Sequence, residues 1–288
     1  MKKIWKVLIL CVMLSIFCVG CKDDEVITQD KKAEEKTTEK RTEIIKQKTT
    51  QKASQKTTQN KKETTTLPKE EKRIKIAIDA GHQKKQMSEQ EAIGPGADKT
   101  KPMVSSGTEG VVTKRTEYQV NLEVSLKLKS ELIARGYDVY MIRETNDVSL
   151  SNKKRALMAN ESGAGILLRI HCNSADSQSA NGALTMSPTS SNPYCKVIAA
   201  DSQRLSECVV STLCRRTGAK NRGVTQTDEM TGINWSKIPV TIVEMGFMSN
   251  PEEDQKLSDN HYQSMLAEGI ADGVDRYYER RGEENEEK

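Results

Sequence analysis

Three short apolar runs, far apart along the chain, restrict its fold more than any other feature. Residues 74–78 alternate Ile with Lys and Ala, residues 165–170 are almost continuously apolar, and residues 238–243 are apolar around Pro239 and Thr241. Alternation marks a strand with one covered face, and a short unbroken apolar run marks a strand covered on both. Each run is followed at once by polar, ionisable residues. The first leads into Asp79-Ala-Gly-His82, the second into His171-Cys-Asn-Ser174 and the third into Glu244. Helical patterns lie between them. Thr116 and Gln119 fit a capping box, Val120, Val124, Leu128 and Leu132 follow at i+4 spacing, and Gly136 suits a left-handed helix end. Residues 138–143 read as a further strand, 149–162 as a helix closed by Gly163, 182–186 as a short strand, and 194–217 as a long helix before Gly218. Asn250 caps a short helix that has Pro251 at its first position, and a last helix runs over 261–278. Strands alternating with helices predict a single α/β domain, a twisted and mostly parallel sheet with helices on both faces.

That domain does not need all 288 residues. Residues 1–21 open with Lys2, Lys3 and Lys6 and continue as an apolar run over 7–19, which has the length of an export-signal core and is short for a membrane span. Gly20-Cys21 before Lys22-Asp23-Asp24 resembles a bacterial lipoprotein processing site, with Cys21 as the lipidated residue and Cys18 where such sites usually carry leucine. The protein is therefore expected outside the cytoplasm, anchored to the membrane through a lipid at Cys21, with ordinary secretion and an uncleaved anchor as the alternative readings. Residues 22–72 are Lys, Thr, Glu and Gln with few apolar side chains, a composition that cannot bury enough surface to offset chain entropy. They read as a solvated tether. The folded domain is 73–278, and 279–288 is an acidic tail expected to fray.

Charge excludes one class of partner. Residues 73–278 carry 25 Lys and Arg against 25 Asp and Glu, so the formal +4 of the chain comes from its two ends. A neutral domain poor in aromatics is unsuited to nucleic acid, and no nucleic-acid partner is expected. Cys172, Cys195, Cys208 and Cys214 show no CxxC spacing and can be buried thiols or up to two disulfides. Oligomeric state is not encoded in any visible pattern, and a monomer is the expectation.

In open α/β sheets, groups at the carboxyl ends of strands share one rim. His82, His171 and Glu244 occupy such ends, and Glu117 stands in the first turn of a predicted helix, where the helix dipole alone would favour an acid. Two imidazoles and one carboxylate form the common protein ligand set of a catalytic zinc, and a second carboxylate can serve as general base. Two glutamates are available for these two tasks. His261 lies on a polar stretch and reads as a surface residue. No G-x-S-x-G elbow, HExxH helix or glycine-rich phosphate loop is present. Residues 83–114, rich in Gly, Lys, Ser and Thr with no sustained period, form a long loop that can wall a substrate groove.

The segments Asp79-Ala-Gly-His82, Thr116-Glu117 with Asn121-Leu122, Arg143, Arg155 with Ala159-Asn160, Ile170-His171-Cys-Asn173, Arg222-Gly223-Val224 and residues 239–250 resemble, in order, the zinc-dependent N-acetylmuramoyl-L-alanine amidases of the Amidase_3 family. The resemblance implies a zinc ion on His82, Glu117 and His171, with Glu244 as the catalytic acid and base. It implies hydrolysis of the amide between N-acetylmuramic acid and the L-alanine of the stem peptide, with peptidoglycan as the partner. It also reverses the reading of Glu117 as a dipole acid. The chain departs from the family pattern at Ala80, where proline is usual, at Gln83, where glycine is usual, and at Arg169, where serine is commoner. Its 83–114 segment is also longer than the family's. Two other readings of the same residues are a non-catalytic wall-binding lipoprotein and a zinc peptidase or deacetylase acting on peptidoglycan. A tether of about 50 residues would span roughly 40 Å, enough to reach from membrane toward wall.

Overall fold

The computed structural model describes residues 73–286. The proposed signal segment, Cys21 and the tether fall outside them. Eight strands and six α-helices follow in the order β1 (Lys75–Ala80), β2 (Met87–Ala92), β3 (Thr100–Val104), α1 (Glu117–Ala134), β4 (Asp138–Met141), α2 (Asn152–Glu161), β5 (Ile166–Asn173), β6 (Ala183–Ser187), α3 (Ala199–Thr217), β7 (Asn221–Gln226), α4 (Thr231–Asn234), β8 (Val240–Phe247), α5 (Pro251–Ser258) and α6 (Asn260–Glu286). Among these residues no helix is long and apolar enough to cross a membrane.

The main sheet has six strands in the order β4-β1-β5-β8-β6-β7, and every neighbouring pair is parallel except β8 with β6. The predicted architecture, mostly parallel with helices on both faces, is the one observed. Period two sorts the side chains. Ile76 and Ile78 of β1 and Ile166, Leu168 and Ile170 of β5 are fully buried against Val120, Val124, Leu128 and Leu132 of α1 and the apolar faces of α3 and α6. Ala77, Leu167, Val240 and Ile242 point the other way and pack with Ala159 of α2 and Ile233 of α4. Burial of a Leu or Ile side chain of this kind contributes about 1.5–3 kcal/mol.

Helix ends follow the expected chemistry. Thr116 and Gln119 form the capping box of α1, Ser151 caps α2 by accepting from Lys154 N, and Asn250 accepts from the amides of Glu252 and Glu253 at the start of α5. Gly136 and Gly218 close α1 and α3 in the left-handed region. Four features differ from expectation. Part of the 83–114 loop is the antiparallel hairpin β2–β3, a separate two-stranded sheet. The 221–226 segment is an edge strand and 231–234 a single helical turn. β5 and β8 run on to Asn173 and Phe247, so His171 and Glu244 lie within strands, not beyond them. The last helix passes Tyr278 and continues to Glu286, through most of the segment expected to fray.

The four cysteines of the domain are buried free thiols, which settles the open choice in favour of no disulfide. Burial opposes their ionisation, pushing the Cys195 thiol up to about 12 and that of Cys214 to about 11, so they behave as small apolar groups.

Candidate metal centre and active site

The turn after β1 carries the first site residue and is held by buried charge. Asp79, wholly buried, receives Arg155 Nη1 at 2.6 Å on one carboxylate oxygen and Arg169 Nε at 2.9 Å on the other. Burial by itself would raise the Asp79 carboxyl, but the two guanidinium groups outweigh it and hold the carboxyl well below the usual range. Arg155 also donates to the carbonyls of Ala80 and His82, and Arg143 donates to the carbonyls of Ala80, Gly81 and Tyr118. Two of the family departures fit into this scaffold. Gln83 Oε1 accepts from Arg155 and from Leu150 N, while Ala80 is a fully buried β1 residue whose carbonyl takes both arginines.

Within this turn it is His82, at φ 60°, that adopts the left-handed conformation. For a non-glycine residue that costs on the order of 1–3 kcal/mol and persists only where the surroundings impose it. Gly81 is required for a different reason from the sharp turn that its position suggests. A Cβ there would lie 2.2 Å from His171 Cε1, inside the imidazole. The missing side chain is what lets the two histidines meet, with ring centroids 4.8 Å apart and planes at 81°.

Glu117 stands between them. Its Oε1 is 3.2 Å from His82 Nε2 and 3.2 Å from His171 Nδ1, and accepts from Asn121 Nδ2 and Cys172 N; its Oε2 accepts from Thr108 N. One ligand atom from each of His82, Glu117 and His171 lies within 4.8 Å of the others. Burial would raise the Glu117 carboxyl, but hydrogen bonds with His171 and His82 hold it well below its ordinary value. Burial also lowers the His171 imidazole to about 4, so near neutral pH the site holds an ionised carboxylate and a neutral histidine, the forms that bind metal.

The hydrogen bonds around the cluster test whether a metal fits. His82 Nδ1 lies 2.9 Å from the Ser105 carbonyl, which can only accept, so that nitrogen carries the proton. The Nε2 lone pair then faces the Glu117 carboxylate, an arrangement that needs a cation between them. A carbonyl fixing one imidazole nitrogen while the other meets a metal is the usual outer-shell pattern. Across the cluster, His171 Nε2 is buried without a partner. Two imidazoles and one carboxylate suit zinc, with a position left for water or substrate. The residues fit the ion.

Glu244 lies beside His171 in register on β8 and faces the same cleft, a space of about 240 Å³ lined also by His82, Arg169 and Met186. Its Oε2 is buried without a partner. Burial first, and the Glu117 charge second, push the Glu244 carboxyl up to about 8. A raised carboxyl of this kind is suited to moving a proton near neutral pH. The hairpin supplies the opposite wall through Lys101, Pro102 and the following Ser105. All four residues expected in the site are thus brought together, and His261 is exposed on α6, as read from its polar surroundings.

With this geometry in place, comparison with known proteins is decisive. The profile of the Amidase_3 family, N-acetylmuramoyl-L-alanine amidase, matches residues 76–276. The chain belongs to the Amidase_3 family. It is 33% identical over 162 residues to N-acetylmuramoyl-L-alanine amidase LytC of Bacillus subtilis (strain 168), a match covering 56% of this chain and 31% of LytC. The chain thus spans about a third of that relative's length. An N-acetylmuramoyl-L-alanine amidase from Clostridium difficile 630 superposes with a TM-score of 0.58 at 28% identity, over 72% of this chain and 97% of that one. Ami1 from Mycobacterium smegmatis, at 20% identity and TM-score 0.64 over 71% of this chain and 96% of its own, shares the fold.

Several supporting residues lacked a role in the sequence. Ser105, which orients His82, sits in a segment without pattern. Asn121 spans Gly81 O and Glu117 Oε1; its spacing one helical turn after Glu117, within the Asn121-Leu122 segment, was the available signal.

Proposed function

We propose that this protein is a zinc-dependent peptidoglycan amidase that hydrolyses the bond between the lactyl carbonyl of N-acetylmuramic acid and the amine of L-alanine. His82, Glu117 and His171 would hold the metal, and Glu244 is the acid and base. Family membership supports the substrate, and the convergence of the three ligand groups supports the metal. The observation that carries the role of Glu244 is its unpartnered, buried oxygen in the cleft that the three ligands share.

A zinc ion held there would polarise the carbonyl as a Lewis acid, lower the pKa of a bound water to about 7, and offset the Glu117 charge that burdens Glu244. Glu244 takes the proton of the attacking water and returns it to the nitrogen of the departing L-alanine. The proton thus travels on one carboxylate from nucleophile to leaving group. Ser105, through Nδ1 of His82, and Asn121, through Oε1 of Glu117, keep the ligand groups aimed. The hairpin and the β8 side of the cleft orient the substrate between them.

The test is Glu244→Gln. It should lose hydrolysis of purified peptidoglycan by at least a thousandfold while binding zinc in the same amount as wild type. Normal cleavage by that variant would remove Glu244 from the mechanism. Mass spectrometry of the digest decides between chemistries, because an amidase leaves N-acetyl groups intact and creates a new L-alanine amino terminus. A deacetylase removes the acetyl groups, and a peptidase acting within the stem exposes a different amino terminus. Residues 1–21, with Cys21 as the lipid-bearing residue, and the polar stretch 22–72 support a membrane-anchored enzyme on the outer side of the cytoplasmic membrane that acts on the adjacent wall. Radiolabelled fatty acid that fails to enter the wild-type chain, or that still enters Cys21→Ala, would exclude that anchor.

A further inference from the structure

The cleft contains a buried cation that the proposed chemistry does not use. Arg169 lies two residues before His171 on β5 and therefore on the same face of the sheet, one step further along the cleft floor. Its guanidinium is only partly engaged. Nε donates to Asp79 and Nη2 to Asn152 Oδ1. The third nitrogen, Nη1, points at Gly232 on the opposite wall, where a Cβ would come within 2.0 Å of it. Both Arg169 and Gly232 line the cleft. Glycine at 232 thus makes room for a fixed, 4% exposed guanidinium, whose Nη1 packs against that wall of the cleft.

Charge in this layer is unbalanced in the same direction. Asp79 is the one carboxylate that ion-pairs with Arg155 and Arg169, and Arg143 close by is occupied with main-chain carbonyls and Asn146. Three buried guanidinium groups therefore share one ion-paired carboxylate, and Glu244 across the cleft is the other acid in the field of Arg169. A buried cation with one nitrogen uncommitted is complementary to an anionic oxygen, which it binds through a charge-assisted hydrogen bond.

We infer that Arg169 is a specificity-determining residue that receives a free carboxylate of the stem peptide, the main-chain carboxylate of its second residue. The inference rests on the amidase reading above. Distances along the two chains agree. Two residues of β5 separate Arg169 from His171 by roughly 7 Å, and two residues of extended substrate separate the scissile carbonyl from that carboxylate by roughly 7 Å. With the scissile carbonyl at the three ligand groups, the carboxylate reaches the Arg169 edge beside Gly232. Where the carboxylate is capped as an amide, its NH2 group brings donors against donors, and the fit is lost.

The test compares two synthetic muropeptides, N-acetylmuramoyl-L-Ala-D-Glu and the same compound with that carboxylate amidated, using the full zinc-loaded protein. The acid should be preferred by about tenfold or more in kcat/KM, corresponding to about 1.4 kcal/mol, with the difference in KM and little change in kcat. Arg169→Gln, which can still hydrogen-bond Asp79, should abolish the preference by raising KM for the acid alone. Arg169→Lys should restore part of it. A residue that merely braces Asp79 would change both substrates alike. Wild type cleaving both compounds within twofold of each other overturns the inference, whether or not the variants fold. So does an Arg169→Gln enzyme that keeps the preference. Failure of wild type to cleave either compound overturns the amidase reading itself, and the inference with it.

Discussion

Replacing Asp79 by Asn probes the element on which the whole site is hung. The side chain of Asp79 is fully buried, and those of Arg155 and Arg169 are 1% and 4% exposed. The substitution preserves shape but leaves two guanidinium groups without a counter-charge where water cannot screen them. Breaking a buried pair in this way costs about 3–5 kcal/mol. In a domain of this size each kcal/mol lowers Tm by roughly 2–4 °C, so the melting temperature should fall by about 6–20 °C. Differential scanning calorimetry of wild type and Asp79→Asn at pH 7, each with the same excess of zinc, measures it. The pH dependence gives a second constraint. The Asp79 carboxyl is depressed in the folded state, so its stabilisation is present above its unfolded value near pH 4 and is lost as pH falls toward the folded one. The gap between wild type and variant should therefore narrow on acidification below pH 4. Removing Arg169 as well (Asp79→Asn with Arg169→Gln) should recover part of the loss, because one orphaned cation is gone. A single variant that melts within 2 °C of wild type at pH 7 would show that the ion cluster does not hold the turn.

Three further predictions concern the same neighbourhood. Gly81→Ala places a methyl group inside the His171 ring position, so zinc affinity should fall by about tenfold or more in a competition titration with a chromogenic chelator. Glu244 is raised to about 8 in the folded, metal-free chain; its protonated form favours folding fully below the unfolded value near 4.5, and that contribution is lost as pH rises through 8. In excess chelator, Glu244→Gln should therefore melt higher than wild type at pH 9, with the difference vanishing near pH 4.5. Glu91, on the hairpin, accepts from Lys153 N in the first turn of α2, so Glu91→Ala should cost about 1 kcal/mol in urea denaturation.

The parts legible in the sequence were those encoded by local pattern. Alternating Ile in β1, the capping box at Thr116, and Asn250 with Pro251 each reflect interactions within a few residues, and each lies where the pattern indicated. Glu117 shows the limit of that reading. Alone it is an acid at a helix start, and only its place in the family motif, then its contact with both imidazoles, separates it from an ordinary dipole partner. β2 and β7 were hidden because most of their residues are exposed, leaving no apolar alternation to see. The reason for Gly81 was hidden because the ring it accommodates belongs to a residue ninety positions later. Arg169 looked like a polar interruption of an apolar strand, and its partner Asp79 becomes visible only when β1 and β5 lie side by side in register.

The hairpin has a mechanical consequence. It is fastened at Trp235 through Ala92 O, at α2 through Glu91 and Met103 O, at Glu229 through Lys99 and Lys101, and at His82 through Ser105. Six attachments to separate parts of the domain make it a fixed jaw, with no hinge about which it could swing over the cleft. The opening on that side is then set by these six bonds and not by a swinging cover. The same bonds tie the hairpin wall to the His82 imidazole beside it, so shortening the hairpin would alter the opening and the aim of His82 together.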